Sequence, residues 1–333
     1  MACYSYHILK NEYKFICEYP SHVTLSGHCV VKLKKNNNDK ITLLSFGGYK
    51  DTRHTLVMKY ISVWNNNEIN KTKNYNQWIP FTDNHNNPII IGRDKDNYCG
   101  ARAIIGGSNN NNLLFITYFP RNISIFDLNT FQFINHDYFQ INNVISFHCF
   151  VSKSENDEEM MKRNKKKYEM ILFCENAGLS IEYDEDNNTF QFYKLLVCYN
   201  IAPFNEYAYI RVNDIILFFG GWNTGKPISK SVYKYVIQEN KWTIFQNILP
   251  NPLKSCVAIL SEDNIHIHMI GGRNDENIIV QTHTKTKVRV WDISHLSKNE
   301  IKFWNQYWIR ILKIRLGWID DFDQIIFKYS KKK

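Results

Sequence analysis

Residues 215–227 read IILFFGGWNTGKP. An apolar run, Ile215 to Phe219, ends in Gly220 and Gly221, and Gly225 and Lys226 follow. Gly220, Gly225 and Lys226 have the G-x-x-x-x-G-K spacing of a phosphate-binding loop. Such a loop needs a Ser or Thr after the lysine to ligate Mg²⁺, and a helix behind it whose first N–H groups hold phosphate. Here Pro227 takes the hydroxyl's place and removes a donor. The following ISKSVYKYVIQENKW is rich in β-branched and aromatic residues (Val232, Tyr233, Tyr235, Val236, Ile237), which predicts a strand. The stretch therefore reads as a strand closed by a diglycine, with a turn and another strand behind it.

That element recurs. ITLLSFGG (41–48), with Gly47 and Gly48, and IHIHMIGG (265–272), with Gly271 and Gly272, repeat the apolar strand and its diglycine. Downstream of Gly221, Tyr235 and Trp242 are separated by six residues, and Tyr6 and Tyr13 have the same separation. CYSYHILKNEYKF and VYKYVIQENKWTIF align without a gap. Weaker copies lie at 113–134, where Tyr118, Phe119 and Pro120 replace the glycines, and at 168–195, where Asn176, Ala177 and Gly178 do. Gly106 and Gly107 lie one strand too early for the register and read as a hairpin turn. A period near ~50 residues with four short strands per unit is the signature of a propeller blade.

The diglycine Gly220-Gly221 followed by Tyr235 and Trp242 resembles the kelch-repeat family of β-propellers, which includes galactose-oxidase-like propellers. The resemblance covers about residues 3–292. It implies that the diglycine closes strand two and that the aromatic pair comes from strands three and four. Glycine permits close backbone approach, and the rings fill space between neighbouring sheets. Blades are expected at 27–81, 100–135, 146–195, 207–249 and from 256, the last with a strand at 288–292 and no clear fourth. Residues 3–20 supply strands three and four of a further blade whose first two strands are absent. The expectation is thus an all-β kelch-type propeller over 1–292 in a six-blade register with an incomplete N-terminal blade. A five-blade ring with a stray hairpin is the alternative. An unclosed ring exposes strand edges and invites self-association.

Residues 293–333 change period. Ser297 and Glu300 form a capping-box pattern, and Ile301, Trp304, Trp308, Ile311 and Leu312 follow at helical spacing. An α-helical hairpin tail is expected there, with a basic face of Lys302, Arg310, Lys313 and Arg315 and a capacity for docking or oligomerisation.

The 333 residues are 44% hydrophobic and 15% aromatic, enough for a large core. The net charge of +9 concentrates at 161–167, 301–315 and the closing lysines, with no base-stacking motif to support a nucleic-acid partner. Eight cysteines, at 3, 17, 29, 99, 149, 174, 198 and 256, include no C-x-x-C and read as free thiols of a reducing, cytoplasmic protein. Polar residues and lysine come too early for a signal peptide, and no apolar stretch is long enough to span a membrane. Asparagine tracts between the apolar runs mark loops.

Chemistry-bearing patterns are weak. His266 and His268 share a strand face and would need a third ligand such as His283 to hold a metal. The acidic clusters 184–188 and 94–97 lack the twelve-residue calcium-loop pattern. No G-x-S-x-G occurs. The resemblance admits copper enzymes of the galactose-oxidase class, but no segment here matches their ligand set. The reading is a non-catalytic scaffold without cofactor or metal that binds a protein partner, the alternative being a metal-dependent or hydrolytic propeller enzyme. The loops after the strand-two glycines are the candidate partner-binding sites. They carry Tyr49, Arg53, Trp222, Asn223, Arg273 and Asn274, and aromatic and arginine side chains are common interface anchors.

Overall fold

The computed structural model describes residues 1–33, 41–64, 75–107, 112–153, 167–246, 248–261, 263–280 and 283–291. Contacts divide the chain into two units, residues 1–258 with 269–283, and residues 259–268 with 284–333. The described residues form an all-β propeller of five blades with almost no helix among them.

The first blade pairs β3 (Cys29–Leu33), β4 (Ile41–Gly47), β5 (His54–Tyr60) and β6 (Ile79–Pro80) in chain order. The second holds β7 (Asn97–Gly106), β8 (Leu113–Phe119), β9 (Asn122–Asp127) and β10 (Gln132–Tyr138). The third holds β11 (Cys149–Ser152), β12 (Lys167–Cys174), β13 (Ala177–Asp184) and β14 (Thr189–Lys194). The fourth holds β15 (Ala208–Val212), β16 (Ile215–Phe219), β17 (Val232–Val236) and β18 (Lys241–Ile244). The fifth has three strands, β19 (Val257–Leu260), β20 (His266–Ile270) and β21 (His283–Lys287). Neighbouring strands in the first four blades pair antiparallel, and each second strand is buried along most of its length.

Apolar clusters join neighbouring sheets. Leu44 and Phe46 of the first blade pack with Tyr98, Leu114 and Ile116 of the second. Phe115, Ile123 and Ile125 of the second meet Tyr168, Met170 and Leu172 of the third. Ile171 and Phe173 of the third meet Ile216, Phe218 and Tyr235 of the fourth. Burial of such side chains stabilises each contact by roughly 25 cal/mol per Å² of apolar surface removed from water.

A backbone device repeats with the blades. Near the start of each innermost strand one residue takes the left-handed conformation: Gly27, Gly100 (inside β7, at its register shift), Phe147, Glu206 and Ser255, with φ between 49° and 76°. The Gly100 N–H donates to the Gly27 carbonyl at 2.7 Å, Phe147 to Gly100 at 2.9 Å, and Ser255 to Glu206 at 2.7 Å. The starts of blades one, two and three, and those of blades four and five, are thereby hydrogen-bonded together. A Cβ on Gly27 would collide with the Gly100 amide.

Two sequence expectations are corrected. The six-blade register is not supported: the described residues form five blades, and β1 (Ala2–His7) and β2 (Glu12–Glu18) form a two-stranded sheet of their own. One face of this hairpin packs on the first blade, where Cys3, Ile16, Cys17 and Tyr19 meet Leu56, Met58 and Trp78. The strand expected at 288–292 is instead β21, at 283–287, followed by a 3₁₀ turn over Val288–Val290. The Val288 N–H bonds back to the Ile265 carbonyl and the Trp291 N–H to the Val288 carbonyl, so the chain turns where its alternation looked extended. The helical tail expected over 293–333 lies outside the described residues.

Candidate functional site

In an antiparallel blade the loop between strands two and three lies at the same end as the segment that leads into strand one. Isolated bridges tie these two kinds of segment together: Gly48 with Tyr98, Asn205 with Trp222, and Lys254 with Arg273. The diglycines make this possible. A Cβ on Gly220 would overlap the Leu253 carbonyl, one on Gly221 would lie 3.0 Å from the Asn205 carbonyl, and one on Gly272 would lie 2.7 Å from the Lys254 carbonyl. Blades two and three have no diglycine there and turn tightly, from Phe119 to Asn122 and from Cys174 to Ala177. The longer loops of blades one, four and five therefore make this face uneven.

The six candidate residues all lie on these loops, and most are engaged within the chain. Tyr49 is 37% exposed, with Lys50 Nζ 5.1 Å from its ring centre. Arg53 Nη1 donates to the Arg93 carbonyl at 2.9 Å and Nη2 pairs with Asp94 at 3.3 Å, so its guanidinium clamps the segment leading to blade two. Trp222 exchanges backbone hydrogen bonds with Asn205 at 2.8 and 3.0 Å. Its ring carries the Lys254 ammonium at 3.8 Å, although Lys254 itself is only 9% exposed. Trp222 is thus half-buried between the fourth blade and the segment leading to the fifth. Asn223 shapes its own turn, its Oδ1 accepting the Thr224 N–H at 2.6 Å.

Arg273 and Asn274 build a small closed loop. Arg273 exchanges backbone hydrogen bonds with Lys254 and is bridged to Ile279. Its Nη1 donates to the Asn277 carbonyl at 2.8 Å. Asn274 Oδ1 accepts the Ile278 N–H at 2.9 Å, and Asn277 sits at φ 60°. The side chains this scaffold displays are Ile278 and Ile279, 54% and 68% exposed. The sequence alone does not mark either residue, because whether an isoleucine is buried or displayed is set by the fold around it.

The aromatic pair Tyr235 and Trp242 faces across β17 and β18 with rings 5.0 Å apart. Both close on Phe173 of the third blade, at 4.8 and 4.9 Å. The Tyr235 hydroxyl donates to Asn240 Oδ1 at 2.8 Å. Tyr6 repeats the arrangement with Asn11 at 2.6 Å, and Tyr183 with Asn188 at 2.9 Å. Each asparagine lies five residues after its tyrosine in left-handed backbone. These asparagines have a defined task that their abundance in the sequence conceals.

Titratable groups with the look of chemistry are internal. The Tyr19 hydroxyl donates to Ser45 Oγ at 3.0 Å, and Ser45 Oγ lies 3.3 Å from His54 Nε2. Ser45 and His54 are both buried, so this hydroxyl–imidazole pair is closed off within the first blade. Burial pushes the His54 imidazole below its ordinary range, and burial beside His54 and Arg102 holds His28 at about 4. His148, fully buried and 2.6 Å from Thr117 Oγ1, is held well below its ordinary range by desolvation. Of the two histidines on β20, His268 is buried, whereas His283 packs edge-on against the rings of Tyr6 and Tyr13. Asp184 accepts the N–H groups of Asp186 and Asn187 in a local turn, and Asp96 binds Arg93. Among the described residues no three His, Cys, Asp or Glu side chains converge on a metal-sized space. No helix among them is long and apolar enough to cross a membrane.

The sequence matches no family profile and no curated protein. Among solved structures the chain is similar to one described as "Structure of YjhT", with a TM-score of 0.53 and 13% identity over 83% of this chain and 87% of that one. At this identity the likeness shows the fold alone.

Proposed function

We propose that the chain is a non-catalytic interaction module of the kelch-repeat type that binds a protein partner through the loop face built on the strand-two ends. The observation that carries this reading is the 273–279 loop. Its internal hydrogen bonds hold two exposed isoleucines in place before any partner arrives, and little ordering entropy is then lost on binding. Trp222 and Arg53 belong to the scaffold under this face, while Tyr49 and the isoleucines form its contact surface. Eight free thiols accord with a cytoplasmic setting.

The test is affinity capture from native extract with the full chain, its Ile278→Asp/Ile279→Asp variant and a Tyr49→Ala variant. Specific partners should be lost from the charged-loop variant while its melting temperature stays within the wild-type range. Unchanged capture by that variant would remove the loop from the binding surface.

A further inference from the structure

The N-terminal hairpin holds two cysteines in a relation none of the other described strand pairings repeats. Cys3 of β1 lies directly opposite Cys17 of β2, so both side chains leave the same face of the sheet. Elsewhere Cys29 lies opposite Phe46, Cys149 opposite Phe173, and Cys174 opposite Ala177. Cys3 and Cys17 both sit in the apolar cluster between the hairpin and the first blade. Both are held by the first blade: the Trp78 indole N–H donates to Cys3 Sγ at 3.4 Å, and Cys17 Sγ lies 3.6 Å from the Met58 sulfur. Neither residue is fully buried. Directly opposed residues of an antiparallel pair have Cα separations within the range a disulfide spans.

We propose that Cys3 and Cys17 are a redox-active pair that a small-molecule disulfide converts into a cross-strand disulfide, stapling the N-terminal hairpin. In the first step one cysteine gives its proton to solvent, and its thiolate attacks a sulfur of the external disulfide. A mixed disulfide forms and one external thiolate leaves. The second cysteine loses its proton and attacks the protein sulfur of the mixed disulfide, expelling the second external thiolate. The two released thiolates take up two protons, so two cysteine thiols are oxidised as one external disulfide is reduced to two thiols. Burial beside Cys3 pushes the Cys17 thiol up to about 11, so Cys17 is protonated at neutral pH and oxidation quickens as the medium becomes alkaline. The staple closes the fifteen residues from 3 to 17 and so restricts the unfolded chain.

The experiment treats the full chain with glutathione disulfide, blocks remaining thiols with an alkylating reagent, and maps peptides without reduction. Cleavage after Lys10, Lys14 and Glu18 places Cys3, Cys17 and Cys29 on separate peptides. A peptide joined through Cys3 and Cys17 is expected, reversed by dithiothreitol, together with a thermal midpoint that is higher oxidised than reduced. Cys3→Ser and Cys17→Ser should each abolish both the joined peptide and the redox-dependent shift. Full alkylation of both cysteines after oxidation, a joined peptide through another cysteine, or a mixed disulfide that goes no further would each overturn the proposal. The mapping is done on the wild-type chain, so its outcome stands if either variant fails to fold.

Discussion

At the residue scale, single side chains clip one blade to the next. The Tyr235 hydroxyl bonds to Asn240 within its own hairpin while its ring packs on Phe173 of the preceding blade. Tyr235→Phe removes only the hydrogen bond, and a loss of about 1 kcal/mol is expected by chemical denaturation. Lys254 and Trp222 form the clip between the fourth blade and the segment leading to the fifth. In a cycle of Trp222→Ala and Lys254→Met, a coupling of ~0.5–2 kcal/mol is expected for a cation held over a ring with little solvent. Additive single effects would show that the two residues do not support each other. Trp222 itself was legible as a loop aromatic; its packing role was not, because the cation on its ring comes from a residue 32 positions away.

At the element scale, the diglycine and the phosphate-loop pattern make opposite demands on the same stretch. Gly220 sits at φ 67° with its missing Cβ pointing at the Leu253 carbonyl, whereas Gly225, at φ 78°, has nothing within 4 Å. Gly220→Ala should therefore cost roughly 2 kcal/mol or more, through left-handed strain plus backbone collision. Gly225→Ala should cost about 1 kcal/mol, through strain alone. Equal losses on thermal melting would mean that the close approach at Gly220 is not what the glycine serves. The strand order of each full blade was readable from apolar runs at regular spacing, because a hairpin register follows from local alternation and turn length. The strand placed at 288–292 was misread for a related reason. Its alternation is genuine, but the hydrogen bond from the Val288 N–H to Ile265 turns the chain there, and such a partner is set by tertiary placement.

At the scale of the whole molecule, buried imidazoles make stability depend on pH. His28, His54 and His148 all have folded pKa values below that of an unfolded histidine, chiefly through desolvation. Below about pH 6.5 the unfolded chain binds protons that the folded chain refuses, so the stability present above that pH is lost as pH falls towards about 4. The melting temperature should fall across that window, and replacing His28 by Gln should flatten the fall. A profile unchanged by that replacement would show that His28 is already solvated. What the sequence by itself determined is the repeat: strands ending in diglycine, the tyrosine–tryptophan hairpin, and the blade boundaries, all of which rest on interactions between near neighbours. Only the tertiary structure decided the number of blades, the hydrogen bonds between left-handed residues near their starts, and which loop side chains are spent on packing and which face solvent. Each of these depends on where one blade meets the next, and a contact between distant segments leaves no periodic mark in the chain.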